Sequence, residues 1–166
     1  IYFSESDYVI SKHEDLEAVK CLKSGKAPGL DGIDGEVIKG TIDCMIDVYR
    51  FIFSSILTTG CYPKIWNQSY IISIRKKGSV YDPSNYRGIT INNTISKLFS
   101  IIMNTRLKEF VEKYKILNRS QISTNRGAST SDHIFVLRIL FKKYVKREKS
   151  TLFACFVDFK RAFDKV

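Results

Sequence analysis

The sequence predicts an α+β fold. Three observations lead there. Apolar residues recur at helical spacing in several segments, other segments alternate with period two, and the two kinds do not follow each other in a regular βαβ order. The 166 residues are 44% hydrophobic and 27% charged, which is ordinary globular composition with enough apolar material for a core. No internal repeat or low-complexity segment interrupts the pattern.

Taken in order, Ser11-x-x-Glu14 reads as a capping box. It opens a helix whose inward residues are Leu16, Val19 and Leu22 and which Gly25 can end. The stretch Lys26-Ala27-Pro28-Gly29-Leu30-Asp31-Gly32 is dense in turn formers and reads as a loop. Thr41 opens a second helix, with Ile42, Met45, Ile46, Tyr49, Phe53, Ile56 and Leu57 on one face and Gly60 as its stop. After Tyr62-Pro63 the period changes. Residues 69–75 read as a strand, residues 76–85 as a basic then polar loop, and residues 86–91 as a returning strand. Asn92-Asn93 caps a long helix through Ile95, Leu98, Phe99, Ile102, Leu107, Phe110 and Tyr114. Residues 118–130 are polar, with Gly127 as the expected hinge. A further helix from about Ser131 carries Ile134, Leu137, Phe141 and Val145 and ends in a basic run. The apolar run from Leu152 to Phe159 has strand length and reads as a buried strand.

The charge is unevenly spread. The chain carries 27 Lys+Arg and 17 Asp+Glu, a net of +10. Residues 1–60 hold 6 basic and 10 acidic residues, a net of −4, and residues 61–166 hold 21 and 7, a net of +14. A basic half of this kind attracts polyanions over a long range, although a solvated basic surface would look the same. The basic residues are interleaved with strand and turn signals, which argues against a membrane-surface helix. No apolar run has the roughly 18 residues of a membrane helix. Cys21, Cys44, Cys61 and Cys155 lack C-x-x-C spacing, which argues against a disulfide scaffold or zinc ribbon and for an intracellular setting. The chain starts at Ile1 and stops at Val166 just beyond its most chemically suggestive residues, so it is expected to be a fragment.

Two places can carry chemistry. In Phe156-Val157-Asp158-Phe159-Lys160-Arg161-Ala162-Phe163-Asp164, a strand would deliver the Asp158 carboxylate at its rigid end, where a hard cation can be held. From the residues alone, capping of a following helix is the plainer reading of Asp158. In the basic hairpin, Lys76 at one strand end and Arg87 on the return strand can converge on one phosphate, a point charge beside a bidentate fork. A solvated turn is the plainer reading of the same residues. His13 and His133 are far apart and read as surface or packing residues. No nucleotide-binding Walker or Rossmann motif, hydrolase elbow or zinc-protease motif is present.

Six blocks occur in one order. They are Lys26-Ala27-Pro28-Gly29-Leu30-Asp31-Gly32-Ile33, Pro63-x-x-Trp66, Ile74-Arg75-Lys76-Lys77-Gly78, Asp82-Pro83-Ser84-Asn85-Tyr86-Arg87-Gly88-Ile89, Ser129-Thr130-Ser131-Asp132-His133-Ile134 and the Asp158 block. Together, from about residue 15 to the end, they resemble the reverse transcriptase of non-LTR (LINE-type) retrotransposons. The resemblance implies an incomplete right-hand polymerase fold of fingers helices, a basic β-hairpin and the first palm strand. It divides the chain into an N-terminal helical segment (1–60), fingers with linking helices (61–150) and the first palm strand with its metal-binding Asp (151–166). The implied activity is RNA-directed DNA polymerisation with two Mg²⁺ ions about 3.5–4 Å apart. The implied partners are an RNA template, a DNA primer and dNTPs, with no membrane and no known protein partner, and the implied location of the parent element is nuclear.

The resemblance also assigns residues. Asp158 is the first metal-binding carboxylate, joined by the main-chain carbonyl of Phe159. Lys76 and Arg87 clamp the incoming triphosphate, backbone amides near Arg161 and Ala162 face it, and Phe163 is the steric gate against a 2′-OH. Lys77, Gln121 and Arg126 are nucleic-acid contacts. After Gln121 the chain departs from the family, with Ile122-Ser123-Thr124-Asn125-Arg126 where Gly-Phe and basic residues are usual. The family's aromatic-x-Asp-Asp motif is absent, and one carboxylate does not hold two Mg²⁺ ions, so these 166 residues alone are expected not to polymerise. A non-catalytic RNA-binding remnant is the alternative. A group II intron-type enzyme is a third reading within the class, to which the Asp-His-Ile-Phe-Val-Leu run is less similar.

Overall fold

The computed structural model describes residues 9–118, 127 and 129–158. These fall into two compact units, residues 1–113 and 114–166.

In the first unit, helix α1 (Lys12–Lys20) opens on the expected capping box. The Ser11 hydroxyl accepts from the Glu14 amide, and the Glu14 carboxylate accepts from the Ser11 amide at 2.8 Å. The helix stops earlier than expected. Cys21, not Gly25, is its C-cap, and Gly25 sits at φ +66° in the loop beyond. Its buried stripe is Asp15, Ala18, Val19 and Leu22, spaced i, i+3, i+4 and i+7.

Helix α2 (Gly35–Thr59) is longer at its start than the sequence reading. Asp34 is the N-cap, its carboxylate accepting from the Val37 amide at 2.9 Å. Gly35 and Gly40 resemble breakers, but the cap and the apolar face beyond them outweigh two weak helix formers. The expected inward face is observed, with Ile46, Tyr49, Phe53 and Ile56 buried. Gly60 ends the helix at φ +69° and donates to the Ile56 carbonyl at 2.9 Å. A Cβ on Gly60 would meet nothing within 4 Å, so only backbone conformation resists substitution. Gly60→Ala is therefore expected to cost about 1–2 kcal/mol, measured as a lowered urea midpoint with an unchanged m-value.

Strands β1 (Ser69–Arg75) and β2 (Tyr86–Asn92) form an antiparallel hairpin in which Ile72 pairs with Ile89 and Arg75 with Tyr86. Helix α3 (Thr94–Lys113) follows at once. Asn93 precedes it as expected, but its side-chain amide donates to the Ile65 carbonyl at 2.9 Å rather than capping the helix. The inward face of α3 is Leu98, Phe99 and Ile102, while Leu107 and Tyr114 are exposed.

The core lies where α1, α2 and α3 meet. Phe53 is fully buried at its centre, with the rings of Tyr49, Trp66 and Phe99 5.4–6.2 Å away. Tyr62 joins this group through Trp66 and bonds its hydroxyl to Ser96 at 2.7 Å. The Arg106 guanidinium on α3 donates to Glu14 at 2.6 Å and to the Val9 carbonyl at 2.7 Å, tying the start of α1 to the far end of the helical layer.

In the second unit, helix α4 (Thr130–Leu140) begins on a capping box between Ser129 and Asp132. Wider π-helical turns over Phe141–Arg147 follow it, where a continuous α-helix was expected. Its apolar stripe is not buried, since Ile134, Leu137 and Phe141 are all exposed among the described residues. Gly127 has φ +81°, compatible with a turn before the helix.

Candidate nucleotide-binding site

Lys76 and Arg87, the expected phosphate grip, both belong to the β1–β2 hairpin and its connecting loop. In an antiparallel pair, directly opposed residues share a face, and alternate residues along each strand return to it. Ile74 is opposed to Arg87. Lys76 lies two residues beyond Ile74, and its amide donates to the Asn85 carbonyl at 2.7 Å, which extends the ladder by one pair. Lys76 and Arg87 therefore project from one face as diagonal neighbours, a relation of roughly 7–8 Å between positions. Neither has an ion-pair partner among the described residues. Two cations held this way can grip the oxygens of one phosphate group.

The loop joining the strands is built to hold that tip. The Asp82 carboxylate accepts from the Ser84 amide at 2.9 Å, and the Asn85 side-chain amide donates to the Ser79 carbonyl at 3.0 Å. The Tyr86 hydroxyl donates to the Val80 carbonyl at 2.9 Å. Gly78 turns at φ +96°, a conformation that favours glycine, and a Cβ there would lie 2.6 Å from the Asn85 side-chain amide, which would have to shift. Lys77 is exposed in this loop.

The same hairpin face carries Tyr70, Ile72, Ile74 and Ile89, and all four are exposed. The expected alternation holds along the strands, but Tyr70, Ile72 and Ile74 on this face remain exposed among the described residues.

The expected palm strand differs more. Residues 152–158 form no strand in the described chain, and Phe153, Phe156 and Val157 are 91%, 81% and 73% exposed. A strand exists only by pairing, and here β1 bonds only β2. An apolar run without a neighbouring ladder has neither backbone partners nor cover. Asp158 is exposed at the end of this run. No group of three or more His, Cys, Asp or Glu lies together among the described residues. Asp158 by itself does not complete a site for a divalent ion. Phe159, Arg161, Ala162, Phe163, Gln121 and Arg126 lie outside the described residues.

The structure also joins residues that the sequence reading left apart. The loop after α1 packs on the junction of β2 and α3. Thr94 donates its hydroxyl to the Ile33 carbonyl at 2.6 Å, and a Cβ on Gly29 would lie 2.6 Å from the Asn93 backbone. This close approach gives Gly29 its place in the Lys26–Ile33 block. Beside it opens a cavity of about 460 Å³ between the loop, β2 and the first turns of α3.

The chain is similar to RNA-directed DNA polymerases of non-LTR retrotransposons. It is 29% identical over 159 residues to a probable RNA-directed DNA polymerase from transposon BS of Drosophila melanogaster, covering 95% of this chain and 17% of that protein. It is 28% identical over 156 residues to the RNA-directed DNA polymerase from the mobile element jockey of Drosophila melanogaster, covering 91% and 17%. A putative 115 kDa protein in the type-1 retrotransposable element R1DM of the same species is 29% identical over 147 residues, covering 87% and 14%. The chain thus spans less than a fifth of the length of these relatives. No protein-family model matches it. No helix among the described residues is long and apolar enough to cross a membrane.

Proposed function

We propose that the chain is the fingers and first palm segment of an RNA-directed DNA polymerase from a non-LTR retrotransposon, extending a DNA primer along an RNA template with dNTPs. The observation that carries this reading is the placement of Lys76 and Arg87 on one face of the hairpin, in a chain 29% identical over 159 residues to a probable RNA-directed DNA polymerase. In this role Lys76 and Arg87 hold the incoming triphosphate, neutralising charge as the phosphoryl group is transferred. Asp158 contributes one of the carboxylates for the divalent ions, Mg²⁺ in this reading, and the others come from polypeptide beyond the Asp158 block. The main-chain carbonyl of Phe159 joins Asp158 at the metal, Arg161, Ala162 and Phe163 bind the dNTP, and Lys77, Gln121 and Arg126 contact the nucleic acid.

The exposed run at 152–158 supports this assignment, because its apolar side chains suit a strand completed by further palm strands. A second reading, an RNA-binding remnant without catalysis, draws on the +14 of residues 61–166. Primer extension separates the two. A longer polypeptide containing this chain and the palm sequence that follows it in the element is expected to incorporate dNTPs on an RNA template with Mg²⁺. RNA binding without incorporation would leave only the remnant reading.

A further inference from the structure

The cavity between the Lys26–Ile33 loop and the start of α3 is not used by the chemistry above. Lys23, Lys26 and Lys97 line it, and no acidic residue does. None of the three has an ion-pair partner among the described residues. Thr94 also lines it, so the amino-terminal end of the 20-residue helix α3 faces the same space. The first turn of a helix presents amides without intrahelical partners and a partial positive charge. Three cations and a helix start form a strongly anion-attracting wall.

The wall has an apolar complement. Leu22, Ala27, Ile89 and Ile91 line the cavity as well. A free inorganic anion has no use for such a surface, whereas a nucleobase buries a flat apolar face against it. The volume of about 460 Å³ lies within the range of small-molecule pockets and accommodates one nucleotide. The cationic chains are long and flexible, suited to a backbone phosphate rather than to a fixed bidentate partner.

We propose that this cavity seats one nucleotide of a single-stranded nucleic acid, its base against Leu22, Ala27, Ile89 and Ile91 and its flanking phosphates on Lys23, Lys26 and Lys97. It is a contact distinct from the Lys76–Arg87 grip. It rests on the function proposed above only for the choice of a nucleic acid as the source of the phosphate, and binding is measurable whether or not a longer enzyme polymerises.

The test uses the 166-residue chain and fluorescein-labelled ten-nucleotide U and dT strands, read by anisotropy between 50 and 200 mM KCl. The triple substitution Lys23→Ala, Lys26→Ala, Lys97→Ala is expected to weaken binding more than about tenfold and to lower the salt slope by about 2–3, one for each phosphate that no longer meets a cation. Lys142→Ala, Lys143→Ala, Lys146→Ala removes equal charge in the other unit and is expected to change affinity less than about threefold. Ala27→Phe, which fills the cavity without changing charge, is expected to weaken strand binding. Thermal melts check that each variant folds, and Lys97→Gln alone replaces the triple variant if that one does not. Equal losses from both triple variants would overturn the proposal in favour of diffuse electrostatics. An Ala27→Phe variant with unchanged affinity would overturn the seat for the base. Displacement of the strand by millimolar inorganic phosphate as effective as that by unlabelled strand would leave a free-anion site instead.

Discussion

In a longer polypeptide competent for primer extension, Asp158→Asn is expected to lower incorporation by at least about a hundredfold. Loss of partners that merely orient a metal ligand already costs about 10–100-fold, and in the role proposed for Asp158 this substitution removes a charged ligand itself. An amide retains one carbonyl oxygen but no negative charge, so a hard divalent cation loses both attraction and a preferred donor. RNA affinity is expected to stay within about twofold, because phosphate contacts come from cations and Asp158 is not one of them. The substitution is also expected to leave folding unchanged, since Asp158 is exposed and makes no described hydrogen bond or ion pair. Parallel loss of RNA binding and of thermal stability would instead assign Asp158 a structural role.

Local signals in the sequence were read well, and signals that depend on distant partners were not. The capping box at Ser11 and Glu14, the stop at Gly60 and the bounds of β1 are set by residues within one turn or one hairpin of each other. Asp34 is an equally local cap, yet the helix was expected only from Thr41, six residues after its observed start at Gly35. The run at 152–158 has the composition of a buried strand, yet burial is a property of its neighbours and not of the run. The same holds for the exposed stripe of α4.

The site divides along the same line. Lys76 and Arg87 belong to one hairpin, and alternation alone brings them to one face. The cavity joins Lys23 and Lys26 to Lys97, more than 70 residues along the chain. No spacing rule reaches across that interval, so only the packing of the loop against Asn93 and Thr94 reveals it.

Asp15 illustrates the third kind of gap, a charged residue on a buried stripe. The expected inward residues Val19 and Leu22 are buried, but the buried position before them is Asp15 and not Leu16. Both its carboxylate oxygens are buried without a hydrogen-bond partner. Desolvation pushes its pKa from 3.8 up to about 6, and the negative Glu14 adds to the rise, while Arg50 on α2 opposes it. The folded chain therefore binds this proton more tightly than the unfolded chain. Below about pH 3.8 both states are protonated and Asp15 carries no penalty. Between that value and about pH 6 the unfolded chain ionises first, so stability falls as pH rises, and the full penalty remains above pH 6. A shift of about two units corresponds to about 3 kcal/mol. Asp15→Asn, which mimics the protonated form, is expected to stabilise the chain by up to about 3 kcal/mol at pH 8 and by little at pH 4. The adjacent Glu14 works in the opposite direction. Desolvation would raise its pKa, but hydrogen bonds from Arg106 and Ser11 and the charge of Arg106 hold it near 2. Its contribution is present above its unfolded value of 4.5 and is lost as pH falls toward 2. Glu14→Gln is accordingly expected to destabilise at pH 8, where Asp15→Asn stabilises. Urea unfolding of both variants at pH 4 and pH 8 checks the pair. A stability gain for Asp15→Asn of equal size at both pH values would show that the burial of Asp15 acts through packing rather than through its charge.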